Sequence, residues 1–147
     1  MRVLPADRDL RLIVACDGAA RGNPGPAGIG VHITDPDGRT VAEVARGIGV
    51  ATNNVAEYTA AIEGLRLARD LGAQIVLLRS DSRLLIEQMV GRYKVRNEHL
   101  RRLHAEAIAI VSEFTSVRFE HVPRELNTEA DRLANVGVDA WLAEQAR

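Results

Sequence analysis

The hydrophobic period of this chain changes at Asn54, and few folds accommodate what lies on both sides of that point. Residues 12–16 read as a buried strand. The Gly22-Asn23-Pro24-Gly25-Pro26 stretch that follows is kept out of any helix by its glycines and prolines. Segments 28–34 and 40–47 flank Asp35-Pro36-Asp37-Gly38, a turn of the kind that joins antiparallel strands. The chain therefore opens with a three-stranded meander. From Asn54 onward Glu57, Ala61, Gly64, Leu65 and Ala68 share one face at helical spacing, and the helix ends near Gly72. Its small residues suit close packing on a sheet. Residues 75–78 form a continuous apolar run, as in a central strand covered on both faces, and a short helix over 82–90 comes next. Leu100, Leu103, His104, Ala107, Ile108 and Val111 recur at helical spacing behind Asn97, a helix cap. Residues 117–122 read as a last strand. Ala130, Leu133, Ala134, Gly137, Val138, Trp141 and Leu142 mark a terminal helix. Strands alternating with helices after a meander give an α/β fold class.

At 147 residues the chain fits one domain, expected over 11–143 between a flexible N-terminal tail over 1–10 and a C-terminal tail over 144–147. Its single cysteine, Cys16, excludes an intrachain disulfide framework and fits a reducing compartment. No apolar run approaches the roughly 20 residues of a membrane span. The expectation is a soluble, cytoplasmic monomer with no membrane partner. A net charge of −1 carries no global basic signature for nucleic-acid binding. Of the 19 basic residues only Lys94 is a lysine, and arginine is the better residue for planar phosphate contacts. Arg92, Lys94, Arg96, Arg101 and Arg102 form the densest basic stretch, readable as a solvated face or as a nucleic-acid contact.

Four acids sit at element ends. Asp17 closes the first strand, Asp81 follows the central one, and Glu57 and Asp131 lie near helix starts. Each has a modest local explanation. Asp17-Gly18 reads as a turn, Asp81 as a cap, and the pairs Asn54/Glu57 and Thr128/Asp131 have capping-box spacing. Glu57, however, lies on the stripe that faces the sheet, where a carboxylate needs a partner. Gathered in one cleft, four carboxylates would raise one another's pKa unless hard divalent cations compensated them. The pattern points to magnesium chemistry.

Four local sequences together resemble the type 1 ribonuclease H family: Asp17-Gly18-Ala19-Ala20-Arg21-Gly22-Asn23-Pro24-Gly25, Thr52-Asn53-Asn54-Val55-Ala56-Glu57-Tyr58, Ser80-Asp81-Ser82, and Asn127-Thr128-Glu129-Ala130-Asp131-Arg132-Leu133-Ala134. They occur in the family's order and span nearly the whole chain. The resemblance implies a five-stranded mixed sheet, three strands antiparallel and two parallel, flanked by helices. It also implies a site in which Asp17 bridges two Mg2+ ions and Glu57, Asp81 and Asp131 complete the ligand set, with Mn2+ as a substitute. The implied reaction is hydrolysis of the RNA strand of RNA–DNA hybrids, leaving 5′-phosphate and 3′-hydroxyl ends. Gly18, Asn23, Thr52, Asn53 and Asn54 are the implied substrate contacts. Only RNA offers them a 2′-hydroxyl across a wide, shallow minor groove. Two alternatives stay open: a catalytically idle nucleic-acid-binding domain, and a nuclease that also cuts double-stranded RNA.

The chain departs from the family in two places. The basic protrusion that many members carry is missing, because Met89 leads through Gly91-Arg92-Tyr93-Lys94-Val95-Arg96 straight into the next helix. The loop over 122–127 is short and lacks the histidine that well-studied members place before the last aspartate. Arg124 is the candidate for a phosphate or product-release role there, since a guanidinium cannot serve as a base. His121 reads as a strand end and His104 as a helix boundary residue. Both departures resemble the compact bacterial and archaeal form of the family.

Overall fold

The computed structural model describes residues 10–147, so the tail expected over 1–10 lies, apart from Leu10, outside the described residues. Strand β1 (Arg11–Ala20) leads to β2 (Gly25–Thr34) and β3 (Thr40–Ala51), and helix α1 (Asn53–Asp70) follows. Then come β4 (Ile75–Ser80), α2 (Arg83–Met89), α3 (Glu98–Val111), β5 (Ser116–His121), a 3-10 turn (Arg124–Leu126) and α4 (Thr128–Gln145). The five strands form one sheet in the order β3-β2-β1-β4-β5. β1 pairs antiparallel with β2 and β2 with β3, while β4 runs parallel to both β1 and β5. This is the mixed sheet that the resemblance implied.

Alternation along the strands divides the side chains between two layers. Val14 and Cys16 of β1, Ile29, Val31 and Ile33 of β2, and Val76 and Leu78 of β4 join Tyr58, Ala61, Ile62, Leu65 and Ala68 of α1 in one core. Helix α3 packs on the outside of α1, and α4 packs on β2, β3 and β1. That second contact is unusually close because β2 is small where α4 crosses it. A Cβ on Gly30 would overlap the Ala130 carbonyl. Among the described residues, no helix is long and apolar enough to cross a membrane.

The meander strands are longer than their apolar runs suggest. Ala20 still pairs with Ala27, and Arg21 N–H donates to the Pro26 carbonyl at 2.8 Å, so the loop shrinks to residues 21–24. Asp17 therefore lies inside β1 and does not close it, as the apolar pattern had suggested. The caps differ as well. Thr52 caps α1 by accepting from Val55 N–H, Ser82 caps α2 by accepting from Leu85 N–H, and Asn127 holds the cap position of α4 with no side-chain cap bond. Neither capping-box pair is used as one. Asn97 caps α3 as expected, and α4 runs on to Gln145, past the expected boundary at 143.

Candidate active site

With Thr52 and Ser82 doing the capping, the acids beside them are left for another task. Glu57 points inward from the second turn of α1, and its Oε1 accepts the Gly18 N–H at 2.6 Å. Gly18 has to be glycine for this approach, since a Cβ there would overlap the backbone of Ala56 and Glu57. Asp17 and Glu57 are each only 5% exposed. Asp81 stands just past β4. Carboxylate oxygens of Asp17, Glu57 and Asp81 all lie within 4.8 Å of one another. Asp131, in the first turn of α4, lines the same cavity of about 460 Å³, as do Gly18, Asn53 and Arg124.

The electrostatics are those of acids short of positive charge. Burial, then repulsion from Glu57 and Asp81, pushes Asp17 up to about 9. Burial raises Glu57 to about 8, although the Gly18 N–H pulls the other way. Among the described residues, the guanidinium paired with an acid of the cavity is that of Arg124, whose Nη2 is 3.8 Å from Asp131 Oδ1. Its side chain is 80% exposed, so water screens it strongly. An all-oxygen set of clustered carboxylates fits a hard cation such as Mg2+ or Mn2+. Asp17, Glu57 and Asp81 could hold one between them, with Asp131 beside them.

The remaining sequence candidates divide between two places. Gly18 and Asn53 line the acid cavity, whereas Asn23, Thr52 and Asn54 line a smaller neighbouring one with Asn97 and His99. Asn23 joins the two, because its Oδ1 accepts the Asn53 N–H at 3.0 Å. His121 ends β5, and His104 lies 3.2 Å from the Gln88 carbonyl with its ring edge-on to Tyr58. Lys94 and Arg96 stand exposed in the connection over 90–97, while Arg92 pairs with Glu87 at 3.2 Å.

Sequence reasoning missed Asn127. It is buried, and its Nδ2 donates to the Cys16 carbonyl at 3.0 Å, which ties the start of α4 to β1 next to Asp17. Its Oδ1 has no hydrogen-bond partner among the described residues. The signal was the asparagine just before Thr128, read only as part of a motif. A second cluster was also missed. His32, Glu43 and Glu129 bring ligand-type atoms within 4.8 Å of one another, but Arg132 lies among them, 3.6 Å from Glu43 and 3.1 Å from Glu129.

Known proteins resemble the chain in sequence and in fold. A family model described as reverse transcriptase-like matches residues 15–137. A bifunctional protein of Mycobacterium tuberculosis is 48% identical over 132 residues, covering 89% of this chain but 36% of that protein. The chain thus spans about a third of the length of such curated relatives. A protein of Halobacterium salinarum named Ribonuclease HI is 42% identical, over 93% of this chain and 69% of its own. The crystal structure of RNase H1 from that archaeon superposes with a TM-score of 0.86 at 42% identity, covering 88% of this chain and 98% of that one. LC11-RNase H1 in complex with an RNA/DNA hybrid superposes with a TM-score of 0.85 at 44% identity, covering 89% and 99%.

Proposed function

The chain belongs to the type 1 ribonuclease H family, and on that premise we propose that it is an endoribonuclease that hydrolyses the RNA strand of RNA–DNA hybrids. The observation that carries this reading is the convergence of Asp17, Glu57 and Asp81 from three separate elements, two of them buried and none acting as a helix cap. Two divalent cations held by these acids and Asp131 would supply the missing positive charge and the Lewis acidity that activates water and stabilises a departing oxygen. Water adds to phosphorus and the bond to the 3′ oxygen breaks, leaving a 5′-phosphate and a 3′-hydroxyl.

The side chains hold and orient. Gly18 N–H fixes the Glu57 carboxylate, and Asn127 anchors β1 against α4, which sets Asp17 relative to Asp131. Arg124 reaches the cavity from the 3-10 turn and stabilises phosphate charge; always protonated, it takes no part as a base. Asn23, Asn53, Asn54 and Thr52 present amides and a hydroxyl along one side, where they meet backbone and 2′-hydroxyl groups of the duplex. The domain, whose last helix runs to Gln145, acts as a monomer. Incubating the protein with Mg2+ or Mn2+ and end-labelled hybrid, double-stranded RNA and double-stranded DNA tests the reading. Cleavage of the hybrid RNA with 5′-phosphate products is expected. Binding to all three without cleavage would identify an idle binding domain instead.

A further inference from the structure

Arg21 stands just past β1 and lines the acid cavity, yet neither the fold nor the reaction above gives it a task. Its guanidinium is held from α4. Nη1 donates to Asp139 Oδ1 at 2.7 Å, and Nη2 donates to Asn135 Oδ1 at 3.2 Å and to the Asn135 carbonyl at 3.5 Å. Asn135 is itself anchored, its Nδ2 donating to the Asp131 carbonyl at 3.0 Å. Asp131, Asn135 and Asp139 follow one another at four-residue spacing and so share one face of the helix. A polar ledge thus leads away from the acids, with Arg124 at its inner end and Arg21 at its outer end.

Stability does not account for this arrangement. The Arg21 and Asp139 side chains are 41% and 67% exposed, and ion pairs so open to water contribute little to a fold. What the contacts do is fix the direction of a planar group. A guanidinium has five N–H donors, and three acceptor atoms on α4 leave others free to meet a ligand in the cavity. Eight residues of helix separate Asp131 from Asp139, roughly 12 Å at 1.5 Å per residue.

We propose that Arg21, oriented by Asn135 and Asp139, binds a backbone phosphate of the RNA strand on the side of the cleaved bond where the ledge leads away from the acids. It is a substrate-binding residue, outside the metal ligands. The inference rests on the hybrid-cleavage reading, and the test separates the two. Steady-state cleavage of a hybrid is measured over a range of salt for the wild-type protein, Arg21→Ala and Arg21→Lys. Arg21→Ala should raise KM about tenfold, as when a hydrogen bond to a charged group is lost, and leave kcat in place. The slope of log kcat/KM against log salt should become shallower by about 0.7–0.9, one phosphate contact, and Arg21→Lys should restore the slope. Among neutral methylphosphonate links placed singly along the RNA, one away from the cleaved bond should weaken wild-type binding and leave Arg21→Ala unaffected. Wild-type cleavage together with an unchanged slope and KM in Arg21→Ala overturns the inference and spares the family reading. So does a loss of melting temperature with no change in slope, which is the mark of a purely structural pair. A wild-type protein that cleaves no hybrid overturns both.

Discussion

Among the described residues, two clusters containing carboxylates form within this small fold, and they are neutralised in opposite ways. Asp17, Glu57 and Asp81 converge inside a cavity where, among the described residues, none of the three forms an ion pair with an arginine or lysine, and burial drives the first two far above the usual carboxylate range. His32, Glu43 and Glu129 converge just as tightly, on cross-strand partners of β2 and β3 and the first turn of α4. There Arg132 hydrogen-bonds Glu129 and holds its carboxyl below the usual range. Proximity of acids is common to both; what differs is whether the chain supplies the positive charge. Where it does, the cluster is a closed ion-pair network. Where it does not, the carboxylates are arranged for a cation from solution.

The sharpest way to break that contrast is Asp17→Asn. The variant keeps side-chain size and removes the central charge, so hybrid cleavage should be abolished while circular dichroism and hybrid binding stay near wild type. Residual hydrolysis at the wild-type rate would mean that the buried cluster is not the reaction site. Glu57→Gln should behave in the same way.

Arg124 is the next test, because it lines the cavity of the uncompensated cluster and lies 3.8 Å from Asp131. Arg124→Ala should lower kcat by about 10–100-fold, or roughly 1.4–2.7 kcal/mol of barrier. Arg124→Lys should restore only part of this, since the planar fork is lost. Unchanged kcat and KM in the alanine variant would reduce Arg124 to a surface partner of Asp131.

Stability in metal-free buffer carries a smaller signature. An acid whose pKa is higher in the folded state binds more protons there than in the unfolded chain, so stability falls as pH rises between the two values. For Asp17 that window runs from about pH 4 to about pH 9. Urea melts across it should show a steady decline, present in the second cluster's variants and reduced in Asp17→Asn. A divalent cation at a hundredfold its Kd should recover about 2.7 kcal/mol by linkage. A flat pH profile without metal would show that the cluster is already neutralised from within the protein.

How far the sequence reveals this contrast depends on the range of each interaction. Element order, the meander and the four acids could be read locally, because hydrophobic period and turn residues are local properties. The caps were misplaced because Asn54 and Thr128 satisfy the same spacing rule as a true capping box. What decides against them is that Glu57 is drawn to Gly18 and Asn127 to Cys16, contacts that span 39 and 111 positions. Strand ends were cut short where alanine and glycine carry no hydrophobic signal but still pair across the sheet. The Arg21–Asp139 pair and the encounter of His32 with Glu129 likewise exist only once α4 has crossed β2.

The mildest expected effect belongs to Arg132, and it completes the comparison. If the second cluster is closed by its own guanidinium, it has no part in the reaction, and Arg132→Ala should leave kcat and KM for hybrid cleavage at wild-type values. The arginine is well exposed and its partners stand at the surface, so its removal should move the melting temperature little. Losing Arg132 should nevertheless change the cluster's chemistry. His32 and two glutamates without their countercharge form a mixed nitrogen and oxygen set, which a borderline metal such as Zn2+ favours over Mg2+. Isothermal titration of Arg132→Ala with Zn2+ should therefore reveal weak binding that the wild-type protein lacks and that a further His32→Ala change removes. Equal Zn2+ binding by wild type and variant would mean that Arg132 does not close the second cluster, and the difference between the two sites would then lie in burial alone.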